Sequence, residues 1–257
     1  MSVSQPSFHS LKSLLHLQDV SVYHHKVALL KQLNLTVKEG SFHCLVGESG
    51  SGKSLLARTA LNMLQPELHY TGQVDINLED TDAMFQDTNS NFFQNVRIQK
   101  HFDALFDSVH SKLSRQEQHH FVERQFNHLG LKNNSKLLDY YPFQLSGGMA
   151  QRIALIMSIV REAKFLIADE PTSALDYDNR NHLMLLLHHV IQQHGMTILF
   201  ITHDLELVID YATHISVMYE GQIVESGSSK DVLTSPQHPY TQKLIDLANR
   251  RTQYVTD

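Results

Sequence analysis

The feature that most constrains this sequence is a glycine-rich loop between an apolar strand and a helix. The apolar run Phe42–Val46 precedes the loop and a helical pattern over 54–64 follows it, which is the context that the pattern G-x-x-x-x-G-K-[ST] requires. Glycines let backbone N–H groups converge on phosphate oxygens at a helix N-terminus, where the helix dipole favours an anion. The loop consists of Gly47, Glu48, Ser49, Gly50, Ser51, Gly52, Lys53 and Ser54.

This loop predicts a site for a magnesium nucleotide, with ATP as the expected ligand. Lys53 is expected to reach the β- and γ-phosphates, and Ser54 is expected to ligate magnesium. The alternative is an ordinary glycine-rich turn before a helix, which the flanking strand and helix disfavour.

A second candidate site is an apolar strand that ends in two carboxylates. Residues 164–168 lead into Asp169 and Glu170, and a parallel sheet presents ligand groups at this carboxyl edge. Asp169 would hold magnesium through its water shell, and Glu170 would polarise the attacking water as general base. Taken alone, a solvated turn at a strand end explains these residues better. Combined with the phosphate loop, they favour nucleotide hydrolysis.

Two further segments depend on their neighbours for their interpretation. Ser146, Gly147 and Gly148 precede an apolar helix and offer a second anion site at a helix N-terminus, although a simple helix cap explains them when they are considered alone. His203 follows the strand pattern 197–202 and is placed to contact a γ-phosphate. In a chain with 18 histidines, an ordinary surface histidine is the alternative.

The order of the predicted elements indicates an α/β fold with a mainly parallel sheet. Strand patterns over 14–23 and 33–37 favour an N-terminal antiparallel β subdomain, and 72–78 reads as a further short strand. Later helices over 147–161 and 179–193 alternate with strands over 165–168 and 197–201. A helical subdomain between them is predicted from apolar residues at spacings of three and four: Phe102, Leu105, Phe106, Val109 and Leu113.

These patterns predict one domain over 1–257. Its catalytic core with the β subdomain covers about 14–90 and 143–235, the helical subdomain covers about 91–142, and a C-terminal tail covers 236–257. Residues 1–10 read as a short frayed tail without the pattern of a signal peptide.

Composition narrows the class of protein further. The single cysteine, Cys44, lies in an apolar strand pattern, so we expect a buried, unreactive thiol in a reducing compartment. No apolar stretch approaches the roughly 18 residues that cross a bilayer, so a membrane role would have to come through a partner. The net charge of −6 disfavours a dedicated nucleic-acid binder, which normally carries a basic surplus.

Together these segments resemble the ATP-binding cassette family over about 14–247. The phosphate loop is similar to the family's Walker A motif, 165–170 to Walker B, 145–152 to the signature and 173–176 to the D-loop. The resemblance implies further roles: His203 as the switch histidine, Gln86 as the Q-loop glutamine that senses magnesium and the membrane partner, and Tyr23 as an aromatic residue that stacks on adenine.

The resemblance also implies partners. Two cassettes would pair head to tail, so that Ser146, Gly147 and Gly148 act in trans on the ATP held by the other subunit. The complex would contain a second cassette ATPase, two transmembrane permease subunits and an extracellular or periplasmic substrate-binding protein, with no direct contact with nucleic acid. This chain would lie on the cytoplasmic side of the cell membrane as a peripheral subunit.

Finer features are similar to the importer branch for peptides, nickel or cobalt and metal chelates (metallophores). Met149 and Ala168 resemble the first of the two unlike ATPases of that branch, which favours a heterodimer, and 238–241 resembles its terminal motif. Two departures concern the expected permease contact: the segment 72–86 is short, and Thr88 replaces the usual proline, with 89–91 following.

Two features leave alternatives open. A soluble cassette ATPase acting on nucleic acid or ribosomes is the alternative function, although the negative charge and the lack of zinc-spaced cysteines weigh against it. Three histidine doublets suggest metal binding. Neighbouring helical residues point about 100° apart, however, so a doublet chelates a metal efficiently only where other ligands converge. The doublets are His24-His25, His119-His120 and His188-His189.

Overall fold

The computed structural model describes residues 12–87, 91–131, 134–173 and 175–255. Within these residues the chain forms nine strands and seven α-helices, joined by short turns and 3₁₀ helices. In chain order they are β1 Ser13–His24, β2 Val27–Lys38, β3 Phe42–Val46, α1 Lys53–Ala60, β4 Leu68–Ile76, β5 Thr81–Met84, α2 Ile98–Ser108, α3 Arg115–His128, α4 Gly147–Val160, β6 Phe165–Asp169, α5 Tyr177–His194, β7 Thr197–Thr202, β8 His214–Tyr219, β9 Gln222–Ser228, α6 Ser229–Thr234 and α7 Pro239–Val255.

The central sheet has six strands in the order β5-β6-β7-β3-β8-β9. All neighbouring pairs are parallel except β8 and β9, so the predicted mainly parallel sheet is confirmed. The strands β3, β6 and β7 are buried along their whole length, which explains their continuous apolar sequences. Their carboxyl ends meet at one edge, where the loops carry the candidate residues.

The two faces of this sheet pack against different layers. In β6, Phe165 and Ile167 face a core shared with α1 and the β subdomain, whereas Leu166 and Ala168 face a core shared with α4 and α5. The period of two along an extended strand separates these two sets. The sheet that carries the phosphate loop is therefore packed on both faces.

The β subdomain is a three-stranded antiparallel sheet in the order β2-β1-β4, as the early strand patterns predicted. The strands of this sheet extend beyond the predicted ranges. The residues at their ends have mixed polarity but still pair with the neighbouring strand. The third strand, predicted over 72–78, begins at Leu68 and ends at Ile76, and Leu78 lies in a 3₁₀ helix instead.

The helical subdomain contains α2 and α3. Phe102 and Phe106 of α2 are buried against Phe126 and Phe121 of α3, respectively, which confirms part of the predicted apolar face. The prediction was wrong for Val109 and Leu113, which are 37% and 40% exposed. The reason is that α2 ends at Ser108, so neither residue continues its helical stripe.

The first helix and the C-terminal region also differ from the predictions. Helix α1 ends at Ala60 rather than at residue 64, because a turn follows it. The segment predicted as a C-terminal tail contains α7, in which Tyr240 and Ala248 are buried. The predictions for 1–10, for 88–90 and for Ala174 lie outside the described residues.

Candidate nucleotide-binding site

The loop between β3 and α1 has a backbone that only glycine fits at two positions. Gly52 has φ of 108°, and a Cβ there would lie 2.5 Å from Cδ2 of Leu30. A Cβ on Gly47 would collide with the backbone oxygen of Met218 on β8. Both glycines therefore let the loop pack closely against its neighbours while its N–H groups stay near the start of α1.

Lys53 extends back over this loop. Its Nζ donates hydrogen bonds to the carbonyl oxygens of Gly47, at 2.8 Å, and Glu48, at 3.0 Å. It also lies 3.9 Å from Oε1 of Glu170. Burial lowers the pKa of this ammonium group, while the charges of Glu170 and Asp169 oppose that shift. The loop thus holds a buried cation with neutral carbonyl partners that a phosphate group can replace.

Ser54 and Asp169 come together from different elements. Ser54 Oγ, in the first turn of α1, donates a hydrogen bond to Oδ1 of Asp169, at the end of β6, over 3.0 Å. Asp169 is 4% exposed, and burial raises its pKa while the bond from Ser54 opposes the shift. A hydroxyl and a carboxylate side by side are oxygen donors of the kind that Mg²⁺ prefers, so these residues fit a magnesium ion.

Glu170 lies beside His203. Nδ1 of His203, which follows β7, lies 3.0 and 2.9 Å from the two carboxylate oxygens of Glu170. The backbone of Glu170 has φ of 50°, a left-handed conformation that is uncommon for residues other than glycine. Its N–H donates to the carbonyl oxygen of Ile201 at 2.9 Å, which helps to hold this turn. The turn aims the carboxylate toward Lys53 and His203.

A cavity of about 500 Å³ joins these groups. Besides the loop, Gln86, Glu170 and His203 line it, as the sequence predicted for a shared site. Ser54, Gln86 and Asp169, the three proposed magnesium residues, line a neighbouring cavity together. Both cavities are concave and bordered by charged and polar groups, as expected for a site that holds phosphates.

Tyr23 and the signature residues lie elsewhere in this chain. The half-buried Tyr23 of β1 stacks on His69 of β4, with ring centroids 5.4 Å apart, and is not among the described residues that line the cavity. Ser146 caps α4 by accepting a hydrogen bond from the N–H of Met149 over 3.3 Å. A Cβ at Gly147 or Gly148 would meet no atom within 4 Å, so this loop is open.

Two residues near the cavity, Leu29 and Tyr240, were not predicted from the sequence, and Ser173 was predicted only as part of the D-loop. Leu29 of β2 forms an apolar wall of the cavity, and its 39% exposure in a strand is a weak signal of that role. Ser173, part of the predicted D-loop, also lines the cavity. The hydroxyl of Tyr240 accepts a hydrogen bond from the N–H of Glu48 at 2.9 Å, across 192 residues of sequence. Only tertiary structure reveals that contact.

The chain is similar in sequence to known proteins. The sequence pattern of the ABC transporter family matches residues 30–173. The nickel import system ATP-binding protein NikD of Staphylococcus aureus is 32% identical over 258 residues, which cover 95% of this chain and 98% of that protein. The methionine import ATP-binding protein MetN of Streptococcus pneumoniae is 31% identical over 255 residues, which cover 92% of this chain and 71% of that protein.

A solved structure agrees with these relatives. The protein cbiO1 of Clostridium perfringens, described as part of the ABC transporter complex cbiONQ, has a TM-score of 0.71 at 26% identity, covering 95% of this chain and 97% of that one. Fold and site together define a phosphate-loop nucleotide hydrolase. The chain belongs to the ABC transporter family. It is an ATP-binding subunit and an ATPase.

Across the described ranges, no helix is both long enough and apolar enough to span a bilayer.

Proposed function

We propose that this chain is the ATP-hydrolysing subunit of an importer, and that it binds magnesium ATP in the cavity beside the phosphate loop. One observation carries the proposal: five side chains from three separate segments converge on a single site. They are Lys53, Ser54, Asp169, Glu170 and His203.

Each of these side chains would have a different role in hydrolysis. Lys53 would exchange its carbonyl partners for phosphate oxygens, and Ser54 and Asp169 would hold magnesium, Asp169 through water, with Gln86 beside them. The ion would supply positive charge that offsets the charge of the phosphates. Glu170 accepts the proton of the attacking water, and His203 keeps the carboxylate oriented.

The signature loop supports a composite site. Ser146, Gly147 and Gly148 present an open helix N-terminus, yet they are not among the described residues that line this chain's own cavity. A second cassette would bring its ATP to them, so that closure of the pair is a shift of population driven by the nucleotide. Met149 and Ala168 favour an unlike partner and therefore a heterodimer. Tyr23 would contact the adenine when the nucleotide is bound.

The relatives support a wider complex. NikD and MetN are named as import ATP-binding proteins, and cbiO1 is described as part of an ABC transporter complex. We therefore propose a peripheral position on the cytoplasmic face of the membrane, with two permease subunits, contact through the Gln86 region and an external substrate-binding protein. The proposed cargo is nickel or cobalt, free or chelated, or a peptide. Nickel is the first to test, because the match to NikD covers nearly all of both chains.

The catalytic assignment is tested by Glu170→Gln in the complex with its permease subunits. Turnover should fall at least about 100-fold, because a general base contributes 10²–10⁴-fold, while ATP affinity stays near the wild-type value. Glu67→Gln, on an exposed turn, is the matched control and should keep full activity. Unchanged turnover in Glu170→Gln would remove the catalytic role.

The cargo is tested with the complete complex in proteoliposomes. Nickel, cobalt, their chelates and peptides are supplied with the binding protein, and stimulated ATPase and uptake are measured together. Stimulation by one class identifies the cargo. If the chain instead copurifies with ribosomes or DNA and without a permease, the importer proposal fails.

A further inference from the structure

Outside the nucleotide site, α3 carries a cluster of metal-binding side chains. We propose that His119, His120 and Glu123 form a binding site for one transition-metal ion of the zinc and nickel class. Among the described residues, these three are the one group of histidine, cysteine and carboxylate side chains whose ligand atoms approach closely enough, all within 4.8 Å of one another.

Helical geometry explains why this histidine doublet differs from an ordinary one. The two histidines point about 100° apart, too far for a doublet alone to chelate. Glu123 lies four residues after His119 and three after His120, so its side chain projects between them on the same face of the helix. The third ligand that a chelating doublet requires is therefore supplied by the same helix.

The distances match a coordination sphere. Nδ1 of His119 and Nδ1 of His120 each lie 3.5 Å from Oε2 of Glu123. Ligands at about 2.1 Å in a tetrahedral site are separated by about 3.4 Å, so one ion fits between the three atoms with little movement. The side chains are partly exposed, and water can complete the sphere.

The helix that carries the ligands is fixed in place. Its start has a capping box, in which Ser114 and Glu117 bond to each other's backbone N–H groups. Val122 and Phe126, on the adjoining face, are buried in the core. Binding therefore requires rotation of three side chains and no refolding, which favours affinity.

Two imidazoles and one carboxylate suit zinc, nickel, cobalt or copper rather than magnesium or calcium.

The test uses the full-length chain without a polyhistidine tag, stripped of metal and free of nucleotide. Excess magnesium is present to occupy oxygen ligands at the nucleotide site. Nickel and zinc are titrated by calorimetry, and cobalt is titrated by its visible absorption, which reports nitrogen and oxygen ligation. We expect one ion per chain, and affinity at least about tenfold lower in Glu123→Gln and in the double variant His119→Gln/His120→Gln.

The matched control is the double variant His188→Gln/His189→Gln. Among the described residues, this doublet on α5 does not form a group of three possible metal ligands. It should bind as the wild type does. Circular dichroism checks that each variant stays folded. If the double variant at His119 and His120 does not fold, the milder single variant His120→Asn replaces it. Wild-type protein that takes up no stoichiometric ion, or cluster variants that bind as the wild type does, would overturn the proposal. ATPase activity is not a readout, so failure here leaves the proposed nucleotide function standing.

Discussion

Asp169 and Glu170 are neighbours in the sequence, but their surroundings suit them to different tasks. Asp169 ends β6, is almost fully buried and accepts a hydrogen bond from Ser54. Glu170 lies one residue beyond the strand, in a left-handed backbone conformation that turns its carboxylate toward His203. The first environment suits a carboxylate that shares a cation with a hydroxyl. The second suits a carboxylate that exchanges a proton with water.

His43 is a buried histidine on the strand that leads into the phosphate loop. Its Nε2 lies 2.8 Å from Oγ of Ser216 on β8, which in turn lies 2.7 Å from Oγ of Ser226 on β9. Burial, together with the nearby His214, lowers the pKa of His43 from 6.5 to about 3. The folded protein therefore keeps this ring neutral under mildly acidic conditions.

This burial predicts a pH dependence of stability. Below pH 6.5 the unfolded chain binds a proton at His43, whereas the folded chain does not until about pH 3, so acid favours unfolding across this window. The free energy of unfolding should fall by about 1.4 kcal/mol more between pH 7.5 and 5.5 in the wild type than in His43→Gln. Denaturant titrations at both pH values measure it. His189→Gln, on the exposed surface of α5, should behave like the wild type, and an identical fall in His43→Gln would contradict the prediction.

At the scale of elements, α7 links the C-terminal region to the phosphate loop. The hydroxyl of Tyr240 accepts a hydrogen bond from the N–H of Glu48, and its ring packs on Tyr219 of β8, with centroids 4.3 Å apart. The bond fixes one N–H of the loop before ATP arrives. We therefore expect the contact to affect nucleotide binding as well as the stability of the fold.

Tyr240→Phe tests this link between α7 and the loop. The ring contact remains but the acceptor is lost, at about 1 kcal/mol, so ATP affinity should fall roughly fivefold in a nucleotide-binding titration. Tyr219→Phe is the control, because it keeps the same ring pair and leaves the bond to Glu48 intact. Unchanged ATP affinity in Tyr240→Phe would show that the contact serves stability alone.

The elements also show what the sequence could and could not predict. Lys53, Asp169, Glu170 and His203 each follow or end an apolar strand, and parallel strands place such positions at one edge, so their convergence was predictable. The strands β5, β8 and β9 were missed: β5 is four residues long, and the exposed side chains of β9 hide its period. The Tyr240 contact was missed because local pattern carries no information about packing between distant segments. Tyr23 remains a prediction, since adenine is the partner that would reveal its role.

At the scale of the whole molecule, the proposed composite site divides into two halves that lie apart in this chain. One half is the cavity beside Lys53 and Glu170, and the other is the open N-terminus of α4 at Ser146. Among the described residues, those at the N-terminus of α4 do not line the cavity of their own chain. In the proposed pair of cassettes each helix terminus would contact an anion, so the assembled pair would be the unit of function.

Gly147→Asp separates the role of this surface in the single chain from its role in the complex. A Cβ at this position meets no atom within 4 Å, and an acidic residue in the first turn of a helix is favourable by about 0.3–1 kcal/mol. The isolated variant should therefore be at least as stable as the wild type in thermal unfolding and bind ATP equally well. In the assembled complex its carboxylate would face the phosphates bound by the partner, and hydrolysis should fall at least tenfold. Ser229→Asp places the same charge at the first residue of α6, away from the signature loop, and should leave turnover unchanged. Full activity of the Gly147→Asp complex would mean that this helix start contacts no nucleotide in trans.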